Sequence, residues 1–220
     1  MLKLRFVSWN VYQFYNSKGS DMGKVLAELK PDVVALQEAS FSKTDKKRDL
    51  EDLAQTLGAN VQKVNAIFDL HNCIVSSLKC LQQEDLYIDV DHFERRSLVV
   101  SKLQLPTTKS NYSLNVASLH LDVMSESTRL KQIEKVLQFL NHLNPFYILM
   151  GDFNSLHRED YSDEYWDEIN RIRIQNHLEP SNSSVMKKII DELGHLDCGY
   201  HFNDGQFKAQ KTVWAGTRLN

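Results

Sequence analysis

The order of the strand-like segments constrains the fold of this chain more than any other feature. Short apolar or alternating segments, which are typical of strands, follow one another in runs that single helical patterns interrupt. The predicted strands are 2–9, 33–36, 61–68, 73–78, 86–90, 97–103, 112–121 and 146–150, and 196–202 and 211–214 also look extended. These runs exclude an all-helical fold. They favour a helix-flanked sandwich over a Rossmann sheet, in which strands and helices alternate strictly.

Helical spacing of apolar residues predicts helices between these runs. The first has Ser20 or Asp21 as its N-cap and ends at Pro31. The others are predicted at 50–57, 126–143, 164–176 and 184–193. No glycine-rich phosphate-binding loop of either common pattern occurs in the sequence.

Composition limits the possible partners and the compartment. The net charge of −3 means that binding to a phosphate polymer requires a local patch or a metal ion. No window approaches the roughly 18 apolar residues that a membrane span needs. The three cysteines, Cys73, Cys80 and Cys198, lack metal-ligand spacing and suggest a reducing compartment. We therefore expect a monomer without a signal peptide or membrane span, located inside the cell, in the cytoplasm or nucleus.

Polar residues follow several of the predicted strands. They are Asn10, Glu38, His120, Asp152 and Asn154. Each alone is more simply explained as the point where an apolar strand meets water. Together they combine carboxylate oxygens, which Mg²⁺ prefers, with amides and an imidazole that can donate to a phosphate. We expect all five to converge at one end of the sandwich.

The motifs around these residues occur in a recognisable order. They are Ser8-Trp9-Asn10-Val11, Leu36-Gln37-Glu38, Ser118-Leu119-His120-Leu121 and Gly151-Asp152-Phe153-Asn154, with Arg129-x-x-Gln132 and the strand 71–76 in support. This ordered set resembles the endonuclease/exonuclease/phosphatase superfamily, which has the deoxyribonuclease I-like fold. The resemblance implies an α+β fold: a four-layer α/β/β/α sandwich of two mixed, mainly antiparallel sheets flanked by helices. It also implies that 1–220 is a single domain.

The resemblance suggests a role for each residue of these motifs. Glu38 is similar to the family's main metal-binding carboxylate, with Asn10 beside it, and the metal is expected to be Mg²⁺ or Mn²⁺. Asp152 resembles the carboxylate that orients and deprotonates the attacking water. Asn154 would touch the phosphate or that water, and His120 would donate to the phosphate.

Other residues are less clearly assigned. Asn72 matches a motif position and is a candidate for substrate binding. Arg129 would either bind substrate or brace a loop through a salt bridge. Arg158, in the polar loop after Asn154, would either meet a substrate phosphate or belong to a solvated loop. Asp122 is expected to be a surface carboxylate.

The sequence departs from the family pattern at its end. Thr217-Arg218-Leu219-Asn220 matches the start of the family's Thr-Arg-Ile-Asp-Tyr strand, but no Ser-Asp-His segment follows. We interpret the domain as C-terminally incomplete, without its last strands. The chain would be a fragment or variant of a longer enzyme, the reading we favour, or a natural short form with little activity. A third possibility is that another residue replaces the missing histidine.

Two classes of function follow. The first is a Mg²⁺-dependent phosphodiester hydrolase, a nuclease or related DNA or RNA phosphodiesterase that uses metal-assisted attack of water on phosphorus. The alternative is a weakly active or inactive relative that serves as a binding module. Small phosphoesters, such as an inositol phosphate or a phospholipid headgroup, are alternative substrates, because loops rather than the fold select the substrate.

Overall fold

The computed structural model describes residues 2–39, 44–63, 71–90, 96–107, 112–143, 146–192 and 195. The chain forms two compact units. The first unit comprises Met1–Leu121 and Glu134–Asp152, and the second comprises Asp122–Ile133 and Phe153–Asn220. The predicted extended segments 196–202 and 211–214, and the C-terminal motif 217–220, lie outside the described residues.

The first unit contains two sheets. Sheet A is formed by β1 (Phe6–Asn10), β2 (Val33–Ala39), β3 (Asn60–Lys63) and β4 (His71–Ser76), in the order β1-β2-β4-β3. Sheet B is formed by β5 (Cys80–Tyr87), β6 (Ser97–Gln104), β7 (Ser113–His120) and β8 (Tyr147–Asp152), in that order. Each sheet has one parallel pair, β1–β2 or β7–β8, and its other pairs are antiparallel. The prediction of two mixed, mainly antiparallel sheets is confirmed.

The helices are α1 (Gly19–Leu29), α2 (Thr44–Thr56), α3 (Glu126–Leu143), α4 (Asp163–Gln175) and α5 (Ser184–Lys187). Short 3₁₀ turns occur at Tyr12–Phe14 and Arg158–Asp160, and α5 continues into a π turn at Lys188–Glu192. The helix predicted at 126–143 is observed with those bounds. None of the helices within the described residues is long and apolar enough to cross a membrane.

Strand β2 lies at the centre of the first unit and is buried on both faces. Val33 and Ala35 pack towards sheet B, in a core completed by Ile74, Val99, Leu103, Val116 and Met150. Val34 and Leu36 pack on the opposite face against α1 and α2, in a core that includes Leu26 and Leu53. Burial on both faces explains why β2 reads as an uninterrupted apolar run instead of an alternating one.

The outer face of sheet B is also covered. Its outward-facing residues Val100, Ala117 and Leu119 are buried, as are Val136 and Leu140 of α3. The end of α3, at His142 and Leu143, lines a shallow pocket together with residues of β5, β6 and β7. Helices therefore cover both outer faces, as the four-layer prediction requires.

The start of α1 differs from prediction for a tertiary reason. Helix α1 begins at Gly19, and its N-cap residue Lys18 makes no side-chain cap bond, so neither Ser20 nor Asp21 is the cap. The Gly19 amide instead donates to Asp49 Oδ1 at 2.9 Å, and a Cβ on Gly19 would lie 1.6 Å from the Asp49 carbonyl oxygen. Close approach to α2 thus sets where α1 begins. Its predicted end before Pro31 is confirmed, with Lys30 in the left-handed conformation.

Strand β5 begins at Cys80, six positions before the predicted start at residue 86. Its central residues are polar, Gln82-Gln83-Glu84-Asp85. Because β5 lies at the edge of sheet B, backbone pairing with β6 specifies it without a strongly apolar face. Strand β1 is shorter than predicted and begins at Phe6 instead of Leu2.

Candidate functional site

Polar side chains at the carboxyl ends of four strands of the first unit lie close together. Strands β1 and β2 are parallel, with Asn10 opposite Gln37, and β7 and β8 are parallel, with His120 opposite Asp152. The carboxyl ends of each pair therefore lie at the same edge of their sheet. The buried Gln37 side chain links the two edges, because its Nε2 donates to Ser118 Oγ at 3.2 Å.

The Glu38 side chain lies in this cluster because β2 contains an irregularity. The register with β4 shifts between Leu36 and Ala39, and Glu38 has a left-handed backbone with φ of 55°. Regular alternation would turn Glu38 to the outer face of sheet A, where Val34 and Leu36 pack. The bulge re-aims the side chain, a distortion that is common beside functional sites.

Gly151 allows β8 to approach β7 closely beside Asp152. Its φ is 146°, and a Cβ there would lie 2.0 Å from the Leu119 carbonyl oxygen. The next carbonyl, that of Asp152, accepts from the Leu121 amide at 2.9 Å. Only glycine permits this close approach of β8 to β7, which explains the Gly-Asp order of the motif.

Asn10 holds two carboxylates together. Its Nδ2 donates to Glu38 Oε1 at 2.9 Å and to Asp152 Oδ2 at 3.1 Å. Its Oδ1 accepts from the Tyr12 amide at 3.0 Å, which defines the orientation of the side-chain amide. An amide oxygen has a second lone pair, so this contact leaves capacity for a metal ion.

His120 lies between the same carboxylates and is buried, with 6% of its surface exposed. Its Nε2 is 3.7 Å from Asp152 Oδ2, and its Nδ1 is 4.0 Å from Glu38 Oε1. Burial, together with the positive charge of Arg96 and against the opposing effect of the Asp152 carboxylate, lowers the pKa of His120 from 6.5 to about 3. The imidazole is therefore neutral at physiological pH.

Sequence reasoning missed Arg96. It directly precedes β6, is 8% exposed, and its Nη1 lies 2.9 Å from His120 Nδ1. Its backbone amide donates to Asp89 Oδ1 at 2.6 Å. An arginine before an apolar strand is too common to be a signal, and only the pairing of β6 with β7 brings it to His120.

Asn72 also lies in the first unit, on β4. Its side chain is buried, and its Nδ2 donates to the Ser97 carbonyl at 2.5 Å. This hydrogen bond connects sheet A with sheet B, at the residue that follows Arg96. Its role in substrate binding stays a prediction.

Three predicted site residues belong to the second unit. Asn154 follows Asp152 by two positions and has a left-handed backbone with φ of 47°. Arg129 is fully buried and pairs with Glu126, through Nε at 2.8 Å and Nη2 at 2.7 Å. These contacts favour the bracing role for Arg129 over contact with substrate.

Arg158 is also engaged within the second unit. It pairs with Asp163, donates to the Tyr161 carbonyl at 2.7 Å and lies 5.2 Å from the centre of the Trp166 ring. Its positive charge is followed in the sequence by Glu159, Asp160, Asp163, Glu164, Asp167 and Glu168. This environment weakens the case for a phosphate contact, although the role of Arg158 stays a prediction.

The expectation for Asp122 is wrong. Its side chain is buried, with Oδ1 accepting from the amides of Met124 and Ser125 at 2.9 and 2.7 Å. It therefore stabilises the turn that precedes α3.

The first unit thus defines a class of protein in which a two-sheet α/β sandwich presents carboxylates, an amide and an imidazole at the ends of its strands. The model of the Endonuclease/Exonuclease/phosphatase family matches residues 7–174, and the chain belongs to this family. Members of the family are typically hydrolases that act on phosphoesters. The sequence-based prediction of family and fold is confirmed.

Solved structures show the same fold at low identity. A mannosyl-6-phosphatase of Bacteroides thetaiotaomicron VPI-5482 is 15% identical, with a TM-score of 0.59, over 70% of this chain and 67% of that one. ANGEL2, a 2',3'-cyclic phosphatase solved with adenosine-2',3'-vanadate, is 16% identical, with a TM-score of 0.59, over 69% and 54%. TDP2 of D. rerio, complexed with single-strand DNA product, is 22% identical, with a TM-score of 0.54, over 71% and 62%.

The chain thus spans about two thirds or less of the length of these structures. No curated protein sequence matches the chain significantly.

Proposed function

We propose that the chain is a phosphodiester hydrolase that depends on Mg²⁺ or Mn²⁺ and acts on nucleic acid. The observation that carries the proposal is the pair of carboxylates, Glu38 and Asp152, that share the Asn10 amide beside a neutral, buried His120. Like charges held this close repel each other unless a cation joins them, and such arrangements are typical of functional sites.

The residues fit a hard cation that takes few protein ligands. Among the described residues, no group of three or more His, Cys, Asp or Glu side chains has the geometry of a metal cage. Mg²⁺ does not require one, because it usually binds one or two carboxylates and fills its other positions with water and substrate phosphate. Glu38 and Asn10 would hold the ion. When bound, it would polarise the phosphate and neutralise developing charge.

The chain's own residues would supply the remaining chemistry. Asp152 would orient a water molecule and accept its proton, while Asn10 holds its carboxylate in place. Neutral His120 would donate a hydrogen bond to a phosphate oxygen, where negative charge increases during the attack. Asn154 would contact the phosphate or the attacking water.

The choice of nucleic acid rests on the ligands in the structures with the same fold. TDP2 of D. rerio was solved with a DNA product and ANGEL2 with an adenosine vanadate. The mannosyl-6-phosphatase supports the alternative of a small phosphate monoester. The two classes differ in the bond that is cleaved, so an assay can separate them.

The test compares single-stranded and duplex oligonucleotides, a 2',3'-cyclic nucleotide and mannose 6-phosphate, each with Mg²⁺, Mn²⁺ or EDTA. We expect oligonucleotide cleavage that EDTA abolishes. Asp152→Asn should slow it by about 10²- to 10⁴-fold, the contribution of a general base. Asp21→Asn, which changes an exposed carboxylate of α1, is the matched control.

Turnover that persists in EDTA or in Asp152→Asn would contradict the mechanism. Cleavage confined to mannose 6-phosphate would overturn the choice of nucleic acid and support the alternative substrate.

A further inference from the structure

Arg96 and His120 form a contact whose chemistry has only one consistent arrangement of protons. Arg96 Nη1 lies 2.9 Å from His120 Nδ1, and both side chains are buried. A guanidinium is always protonated and can only donate. Nδ1 must therefore accept, and in a neutral imidazole the single ring proton then belongs to Nε2.

The position of this proton matters because the two ring nitrogens face different carboxylates. Nε2 is 3.7 Å from Asp152 Oδ2, whereas Nδ1 is 4.0 Å from Glu38 Oε1. Without Arg96, either ring nitrogen could carry the proton, because each faces a carboxylate, and a proton on Nδ1 would leave Nε2 as an acceptor. An imidazole in that state cannot donate from Nε2.

Arg96 is itself held in position. Its backbone amide donates to Asp89 Oδ1 at 2.6 Å, and its carbonyl accepts from the Ile88 amide at 3.0 Å. The next residue, Ser97, begins β6, whose Leu98 pairs with Leu119 of β7. These backbone contacts and the strand pairing therefore hold the guanidinium beside the ring, which is the usual requirement for a residue that orients another.

We propose that Arg96 is a positioning residue that holds His120 in the Nε2–H tautomer, so that the ring donates from the nitrogen on the Asp152 side. The kinetic part of this inference rests on the proposed function. The tautomer itself is a property of the folded protein without substrate or metal.

The direct test is NMR of ¹⁵N-labelled protein in EDTA at neutral pH, with long-range ¹H–¹⁵N correlations that identify the protonated ring nitrogen of His120. The wild type should carry its proton on Nε2. Arg96→Met removes the donor while keeping an unbranched side chain, and should give a measurable population with the proton on Nδ1. Arg96→Lys keeps a donor and should retain the Nε2–H form. Arg48→Met, at an arginine whose side chain is 82% exposed, is the control and should leave the His120 signals unchanged.

The kinetic test uses the oligonucleotide assay. Partners that orient a functional histidine typically contribute about 10- to 100-fold, so Arg96→Met should lower kcat by that factor with a smaller change in KM. Arg96→Lys should restore most of kcat.

A wild-type proton on Nδ1 would overturn the proposal without any variant, even if Arg96→Met fails to fold. Unchanged ring signals in a folded Arg96→Met protein would also overturn it. A wild-type protein that cleaves none of the substrates would contradict the proposed function, and the NMR result would still decide the role of Arg96.

Discussion

The two units of this chain each contain a cluster of carboxylates with a buried arginine nearby, and the charges of the two clusters are balanced differently. In the second unit, both oxygens of Glu126 have partners. Oε2 accepts from Arg129, and Oε1 accepts from the Val185 amide at 3.0 Å and from Ser155 Oγ at 3.2 Å. The charge of Glu126 is matched by that of Arg129, and Arg173 and Glu179 add one charge of each sign nearby.

In the first unit, Glu38 and Asp152 approach the same amide of Asn10 beside a neutral imidazole. Arg96 directs its Nη1 at the imidazole, where it sets a proton position. Burial of charge alone therefore does not identify a functional site. A satisfied ion pair stabilises and orders the chain around it, whereas an excess of like charge is the feature from which we propose a site for a cation.

The largest expected loss of stability comes from removing the charge of Glu126 in the second unit. Glu126→Gln would leave the Arg129 guanidinium buried without its counter-charge, and losing one partner of a buried pair typically costs about 3–5 kcal/mol. Urea denaturation followed by circular dichroism would measure the loss of unfolding free energy.

The second unit also provides a matched control. Glu168 and Arg171 have the same residue types and the same i,i+3 spacing on α4, but both are exposed. Glu168→Gln should leave the unfolding midpoint unchanged, because exposed pairs are screened by water. Equal shifts in the two variants would show that the buried pair has no special role.

A smaller loss of stability is expected from Gly151→Ala, which changes the backbone next to Asp152 in the first unit's cluster. The new Cβ would meet the Leu119 carbonyl oxygen at 2.0 Å, on a backbone with φ of 146°. Such strain costs about 3 kcal/mol, and moving β8 would also displace Asp152, so activity should fall with stability.

Gly58→Ala is the control for this change. Gly58 also has positive φ, at 59°, but nothing lies within 4 Å of the position that a Cβ would take there. It should cost about 1–2 kcal/mol, the left-handed backbone penalty alone, and leave activity intact. If Gly151→Ala were as active as Gly58→Ala, the close approach of β8 to β7 would not position the site.

The third prediction concerns Glu38→Gln, which removes one of the two like charges. Without metal, the variant should be as stable as the wild type or more stable, since repulsion with Asp152 is relieved. With Mg²⁺ or Mn²⁺ at about 100 times the dissociation constant, the wild type should gain about 2.7 kcal/mol. The variant should gain much less.

Thermal melts across a metal titration would measure this difference. Glu28→Gln, at an exposed glutamate of α1, should respond to metal like the wild type. Identical metal responses of Glu38→Gln and wild type would exclude Glu38 as a ligand.

Much of the fold could be predicted because it depends on local patterns. The spacing of apolar residues in 126–143 predicted α3 with its observed bounds, and Pro31 marked the end of α1. Strand β5 was placed too late, since its polar residues are paired at a sheet edge and carry little apolar signal. The start of α1 was also missed, because the contact of Gly19 with Asp49 links residues on two helices.

The ordered motifs that carry Asn10, Glu38, His120 and Asp152 were enough to predict the family, and the resemblance to that family implied the two mixed sheets. These motifs are short and are read along the chain, so they can be recognised without any knowledge of the contacts. Three features could be seen only in the folded structure: Glu38 turns inward through a bulge, Asn10 joins the two carboxylates, and Arg96 contacts His120. These contacts join residues 24 to 142 positions apart, and strand pairing and the packing of two sheets, which no local pattern encodes, bring them together.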